Sequence, residues 1–187
     1  MPSRRQQSRI QSGKMAFCGM LVALSVALML SGGLIPIATY CAPMFCALLL
    51  LPILLEYGKK AAWTAFSAVT LITLFLGIDK EAAFFYLFIG NYPLLKWEIE
   101  KIKNRHVKLL VKLAVFNLSI TLMYLIMGYV LGMHAVVTEF AEMGSVLLII
   151  FIVLLNLCLL LYDLLILPMM IIYDKKLRPK FRFLKQS

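Results

Sequence analysis

From Val146 to Ile172 the chain carries a single charged residue, Asp163, in a run built mostly from Leu, Ile, Val and Met. A run of this length can cross the hydrocarbon core of a bilayer, which takes about 20 helical residues. Within hydrocarbon, backbone amides need partners inside their own segment, so the run is expected to be a helix. Five further apolar segments precede it. The six are placed at about 15–32, 36–57, 61–78, 82–96, 109–133 and 144–173, with ends good to about 2 to 4 residues. The expected fold is therefore all-α, a polytopic membrane protein with a bundle of six transmembrane helices over 15–173. Basic tails at 1–14 and 174–187 flank it.

Composition agrees. The 187 residues are 63% hydrophobic and 15% charged, and the mean hydropathy is +0.92. Too little polar surface remains to face water all round. The net charge of +10 does not read as a nucleic-acid footprint, because the basic residues fall in short clusters between apolar runs. They read as topology signals. In a six-span arrangement all but Lys80 of the 19 lysines and arginines lie on one side, and by the positive-inside rule that side, with both termini, is cytoplasmic. Trp63, Trp97, Tyr57 and Tyr173 fall at the same boundary. The turn Gly58 to Lys60 sets the second and third segments antiparallel, and Pro93 tilts, kinks or breaks the short fourth segment.

No phosphate loop, dinucleotide glycine pattern, HExxH or glycine-flanked serine is present, so neither catalytic nor cofactor residues are assigned. Cys18, Cys41, Cys46 and Cys158 lack metal-ligand spacing and read as packing residues. His134 with Glu139 and Glu142 is a metal-site alternative. A solvated loop is the better reading, because a spacing of five does not gather the side chains on one helical turn.

What remains is the inward face of the bundle. Ser145, Asn156 and Asp163 fall on one stripe of the sixth segment, and Asn117, Thr121, Tyr124 and Gly128 form a matching stripe on the fifth. Asn117 and Asp163 lie at similar depth, so the amide is expected to donate to the carboxylate, with Lys112 pointing away from the stripe. Asn and Thr across membrane helices commonly act as interhelical glue of about 1 kcal/mol. A lone carboxylate costs about 2.5 to 3.5 kcal/mol at a helix centre and is a functional candidate by default. Ligand contact and structural pairing therefore both stand open for Asp163. On the first segment, Ser12, Ala16, Gly19, Ala23 and Ala27 make one small-residue face. It suits either packing within the bundle or docking of a separate membrane subunit.

Six spans, both ends inside, and a first helix with Ala23-x-x-x-Ala27 extended by Ala16 and Gly19 resemble the substrate-binding S components of energy-coupling-factor vitamin transporters. The likeness is architectural and covers nearly the whole chain. It implies a bacterial cell membrane protein that binds a small-molecule ligand, a vitamin or related micronutrient. The alanine face would meet a transmembrane coupling subunit, and separate ATPase subunits would drive uptake. The family's substrate region, toward the outer side, maps onto Tyr40, Tyr86, Tyr124, Tyr129, Ser145 and Asn156. With the stripe residues Asn117, Thr121 and Asp163, these supply the candidate substrate contacts, although Asp163 lies deeper than that family's usual site. Signatures of the thiamin, riboflavin, folate or biotin members are missing, so the substrate stays open. Two other classes fit the same helix faces: a membrane scaffold of the rod-shape type, and an intramembrane enzyme built on Asp163 and Asn117.

Overall fold

The computed structural model describes residues 4–32, 38–76, 79–130 and 144–179, and these are helical with no strand among them. The helices are α1 (Arg4–Gly32), α2 (Ala38–Leu48), α3 (Leu50–Leu76), α4 (Lys80–Ile89), α5 (Tyr92–Ile99), α6 (Arg105–Leu125) and α7 (Ser145–Ile172). Short π-helical turns, Ile126–Val130 and Tyr173–Leu177, extend α6 and α7. The basic segment expected to be a tail is helical from Arg4 onward, its Arg and Gln residues being good helix formers that prolong α1.

Among the described residues, three helices are long and apolar enough to cross a membrane: Gln11–Gly32, Arg105–Tyr129 and Ser145–Lys176. A fourth candidate is the pair Thr39–Leu48 and Leu50–Leu76, which meet at 52°. Pro52 accounts for the break between them, because it has no N–H for the Leu48 carbonyl. Gly58, at φ 80° and ψ −178°, interrupts α3 in a backbone region that L side chains rarely adopt. Thr39 Oγ1 donates to Asp79 Oδ2 over 2.7 Å. The chain leaving Thr39 must therefore return to the same end by Asp79, and Gly58 is where it turns. Counted this way, the helices fall into six traverses: α1, α2 with the first part of α3, the rest of α3, α4 with α5, α6, and α7.

Contacts between ends fix the alternation. At one end Lys14 lies over the Tyr57 ring, Arg178 pairs with Glu56 at 3.0 Å, Lys59 pairs with Glu98, and Lys108 and Lys112 both reach Glu100. The opposite end holds Thr39 with Asp79 and Tyr40 with Glu81. Asp79 also caps α4 by accepting from the Ala82 N–H. The paired lysines and arginines among the described residues thus collect at one end of the bundle, with Lys80 beside Asp79 at the other.

The core is drawn mainly from α1 to α5, completed by Phe116, Met123 and Met127 and by Leu159, Tyr162 and Ile166. Much of α7 faces outward with large apolar side chains, Val146, Leu164 and Val153 each being over 60% exposed. That surface suits hydrocarbon and not water.

The fourth traverse breaks at Gly90 and Asn91, where Pro93 enters at the start of α5. A Cβ at Gly90 would clash with the Tyr86 carbonyl oxygen and lie 2.7 Å from the Tyr86 ring. Tyr86 is fully buried against Phe66 and cannot yield. Gly90→Ala is expected to lower the unfolding free energy by about 1 to 3 kcal/mol through overpacking. Thermal unfolding in detergent measures it; an unchanged midpoint would mean that the α4–α5 junction is free to reopen.

Candidate functional site

Asp163 sits on the face of α7 that also carries the buried Leu159, Tyr162 and Ile166, and is itself only 6% exposed. Its partners come from the two preceding traverses. On α5, Tyr92 and Lys96 are four residues apart and so share a face. Tyr92 Oη donates to Asp163 Oδ1 at 2.6 Å. Lys96 Nζ lies 2.7 Å from the same oxygen and also donates to the Asp163 backbone carbonyl. From α6, Lys112 Nζ donates to Asp163 Oδ2 at 2.7 Å and to Glu100 Oε1 at 2.9 Å. Lys108, one turn earlier, holds the other Glu100 oxygen at 2.9 Å.

Both lysines are as buried as the carboxylate they share. Their aliphatic stems lie in the core while the ammonium groups meet fixed acceptors. Glu100, in the turn after α5, is held below the usual carboxylate range by the hydrogen bonds from Lys108 and Lys112. The result is a chain of alternating charge, Lys108, Glu100, Lys112, Asp163, Lys96, clasping α5, α6 and α7 near the basic end. Every oxygen of Asp163 is engaged by donors of the protein itself, so the arrangement clamps helices and presents no free base.

The expected Asn117–Asp163 contact is corrected. Asn117 Nδ2 donates to Asn156 Oδ1 at 2.9 Å, and Asn156 Nδ2 returns the bond at 3.2 Å. Each amide also donates to the carbonyl four residues back, at Leu113 and Ile152. Asn156 precedes Asp163 by seven residues, about two turns, so the amide pair forms a separate rung between α6 and α7. Lys112, expected to point away, is the α6 residue that reaches Asp163. The couple of Asp163 with Asn117 considered for an intramembrane enzyme is therefore not assembled.

A second cluster lies at the opposite end. Tyr40, near the start of α2, donates from Oη to Glu81 Oε1 at 2.5 Å. Tyr124 of α6 lies beside it, and the Tyr40 ring packs edge-on to Phe85 at 5.4 Å between centroids. The structure thus joins two of the expected substrate residues, Tyr40 and Tyr124, and adds Glu81, which sequence reasoning missed. Its place beside the Asp79 cap on α4 was the available signal. Tyr86 instead turns into the core, where its hydroxyl has no hydrogen-bond partner among the described residues. Thr121, Tyr129 and Ser145 are exposed, and Gly128 is buried. His134, Glu139 and Glu142 lie outside the described residues. No group of His, Cys, Asp and Glu suited to a metal occurs among those described.

On α1, the buried face runs Phe17, Leu21, Ser25, Met29. Ser12, Ala16, Gly19, Ala23 and Ala27 are all exposed, and a Cβ added at Gly19 would meet nothing within 4 Å. The small-residue face is turned away from the bundle.

Comparison with models of protein families, with curated proteins and with solved structures finds no match to this chain.

Proposed function

We propose that this chain is the membrane-embedded substrate-binding component of an uptake transporter of the energy-coupling-factor type. It would take up a small molecule of the vitamin or micronutrient class and depend on separate ATPase subunits. The observation that carries the reading is the uncovered face of α1. A helix that fills its bundle contact with Phe17, Leu21 and Met29 and offers Ala16, Gly19, Ala23 and Ala27 outward is shaped for another helix to approach closely. Met20 and Leu24 border this stripe among the exposed residues of α1, whereas the outward surface of α7 is built from large side chains along its length.

In this reading the basic end is cytoplasmic. The cluster of Tyr40, Glu81 and Tyr124 at the other end, packed on the buried Phe85, is the substrate-facing patch. Its aromatic rings offer stacking surface and Glu81 a directional acceptor, a combination suited to a heterocycle bearing hydrogen-bond donors. The remote Asp163 clasp holds α5, α6 and α7 in register beneath it.

The test is retention of a ligand. Full-length protein purified from its own membranes is expected to release a small molecule on denaturation, detected by mass spectrometry. Glu81→Gln and Tyr40→Phe each remove one partner of the patch and should reduce retention on the order of tenfold, with thermal stability little changed. Equal retention by all three proteins would contradict the assignment of this patch.

A further inference from the structure

At the basic end a groove of about 700 Å³ lies between α6 and α7. Its mouth is lined by Lys103, Arg105, His106 and Lys108, and its wall by Leu109, Leu160 and Leu164. At its base, Lys112 and Asp163 are already committed to each other, to Lys96 and to Glu100. Lys108 is shared with Glu100. Lys103 and Arg105 have no carboxylate partner among the described residues. The groove therefore carries an unspent positive charge at one end. The exposed Leu110, Leu157 and Leu161 continue its apolar wall on the outer surface.

We propose that this groove seats an anionic phospholipid, with its phosphodiester headgroup at Lys103, Arg105 and His106 and an acyl chain along the leucines. Three features favour a lipid over a free anion. The cationic mouth opens at the end of the bundle that the charge pattern assigns to the cytoplasmic leaflet, where anionic lipids concentrate. The cations without a carboxylate partner, Lys103 and Arg105, lie at or just before the start of α6, and the leucines lie farther along α6 and on α7, as head and tail are separated in a phospholipid. The volume also falls within the range of ordinary ligand sites, roughly 300 to 1,000 Å³. The inference requires that the chain lie in a membrane but does not depend on what it transports. A bound lipid would fill the space between two helices that are otherwise joined by the Asp163 clasp and the Asn117–Asn156 rung.

Full-length protein in phosphatidylcholine nanodiscs doped with phosphatidylglycerol provides the test, with bound lipid counted by native mass spectrometry after release into neutral detergent. Wild type is expected to keep phosphatidylglycerol in preference to phosphatidylcholine. The double variant Lys103→Gln/Arg105→Gln, which leaves the clasp intact, should lower that retention on the order of tenfold at low salt. Lys175→Gln/Lys176→Gln removes equal charge from the same end outside the groove and should leave retention unchanged. Equal loss in both double variants would reduce the effect to diffuse surface charge and overturn the site. Displacement of the lipid by millimolar inorganic phosphate would make it a free-anion site instead. Absence of any preference for phosphatidylglycerol would remove it altogether.

Discussion

Asp163→Leu is expected to destabilise the protein by about 3 to 5 kcal/mol, the usual consequence of removing one partner from a buried ion pair. The substitution leaves Lys96 with only a backbone carbonyl for company and Lys112 with Glu100 alone. Asp163→Asn should also destabilise, though less. The amide oxygen still accepts from Tyr92 or a lysine, but the charge that balances two buried ammonium groups is gone. Lys96→Met or Lys112→Met alone should be milder, because the carboxylate keeps one lysine and Tyr92. Replacing all three, Lys96→Met with Lys112→Met and Asp163→Leu, should recover most of the loss, since an apolar set of similar volume needs no charge compensation. Chemical denaturation in detergent across this series measures the clasp. Wild-type stability in Asp163→Leu would show that the three helices are not joined there. Wild-type stability in Asp163→Asn with ligand retention abolished would return the carboxylate to a binding role.

Ala23→Leu or Ala27→Leu is expected to abolish association with a coupling subunit while leaving the isolated protein as stable as wild type. Close approach of two membrane helices depends on small side chains along the contact, and a leucine there holds the backbones apart. Nothing within the bundle opposes the larger residue, because both alanines are exposed. By contrast, Leu21→Ala on the buried face should cost about 2 to 5 kcal/mol of stability by opening a cavity. Size-exclusion chromatography and thermal unfolding of the two kinds of variant separate docking from folding. Loss of folding in Ala27→Leu would place this face inside the bundle.

The six apolar segments and the gathering of basic residues at one end were legible because hydropathy and charge depend on residue type and on no contact. The small face of α1 was legible as a pattern, but its outward direction was not. A stripe of Ala16, Gly19, Ala23 and Ala27 looks the same whether it meets a neighbour or points away, and only the packing of Phe17, Leu21 and Met29 decides. The Asp163 site was half legible. The carboxylate is conspicuous in its apolar run, but its partners depend on how far α6 is displaced along α7. A displacement of about one and a half turns exchanges Asn117 for Lys112 as the facing residue. Lys96 and Lys112 also follow the charge pattern of an inner loop, and a long flexible stem lets the same residue mark topology and reach into the core. The spacing of Tyr92 to Lys96 and of Lys108 to Lys112, four residues in each case, was the unused signal. Each pair presents two donors on one helical face.

The most direct measurement for the transporter reading is affinity purification of the full-length chain from its own membranes in mild detergent, followed by identification of what accompanies it. One polytopic membrane subunit together with ATPase subunits in stoichiometric amounts is expected, lost when Ala27→Leu is the bait. Recovery of the chain with envelope-synthesis proteins and no ATPase, unchanged by that substitution, would contradict it.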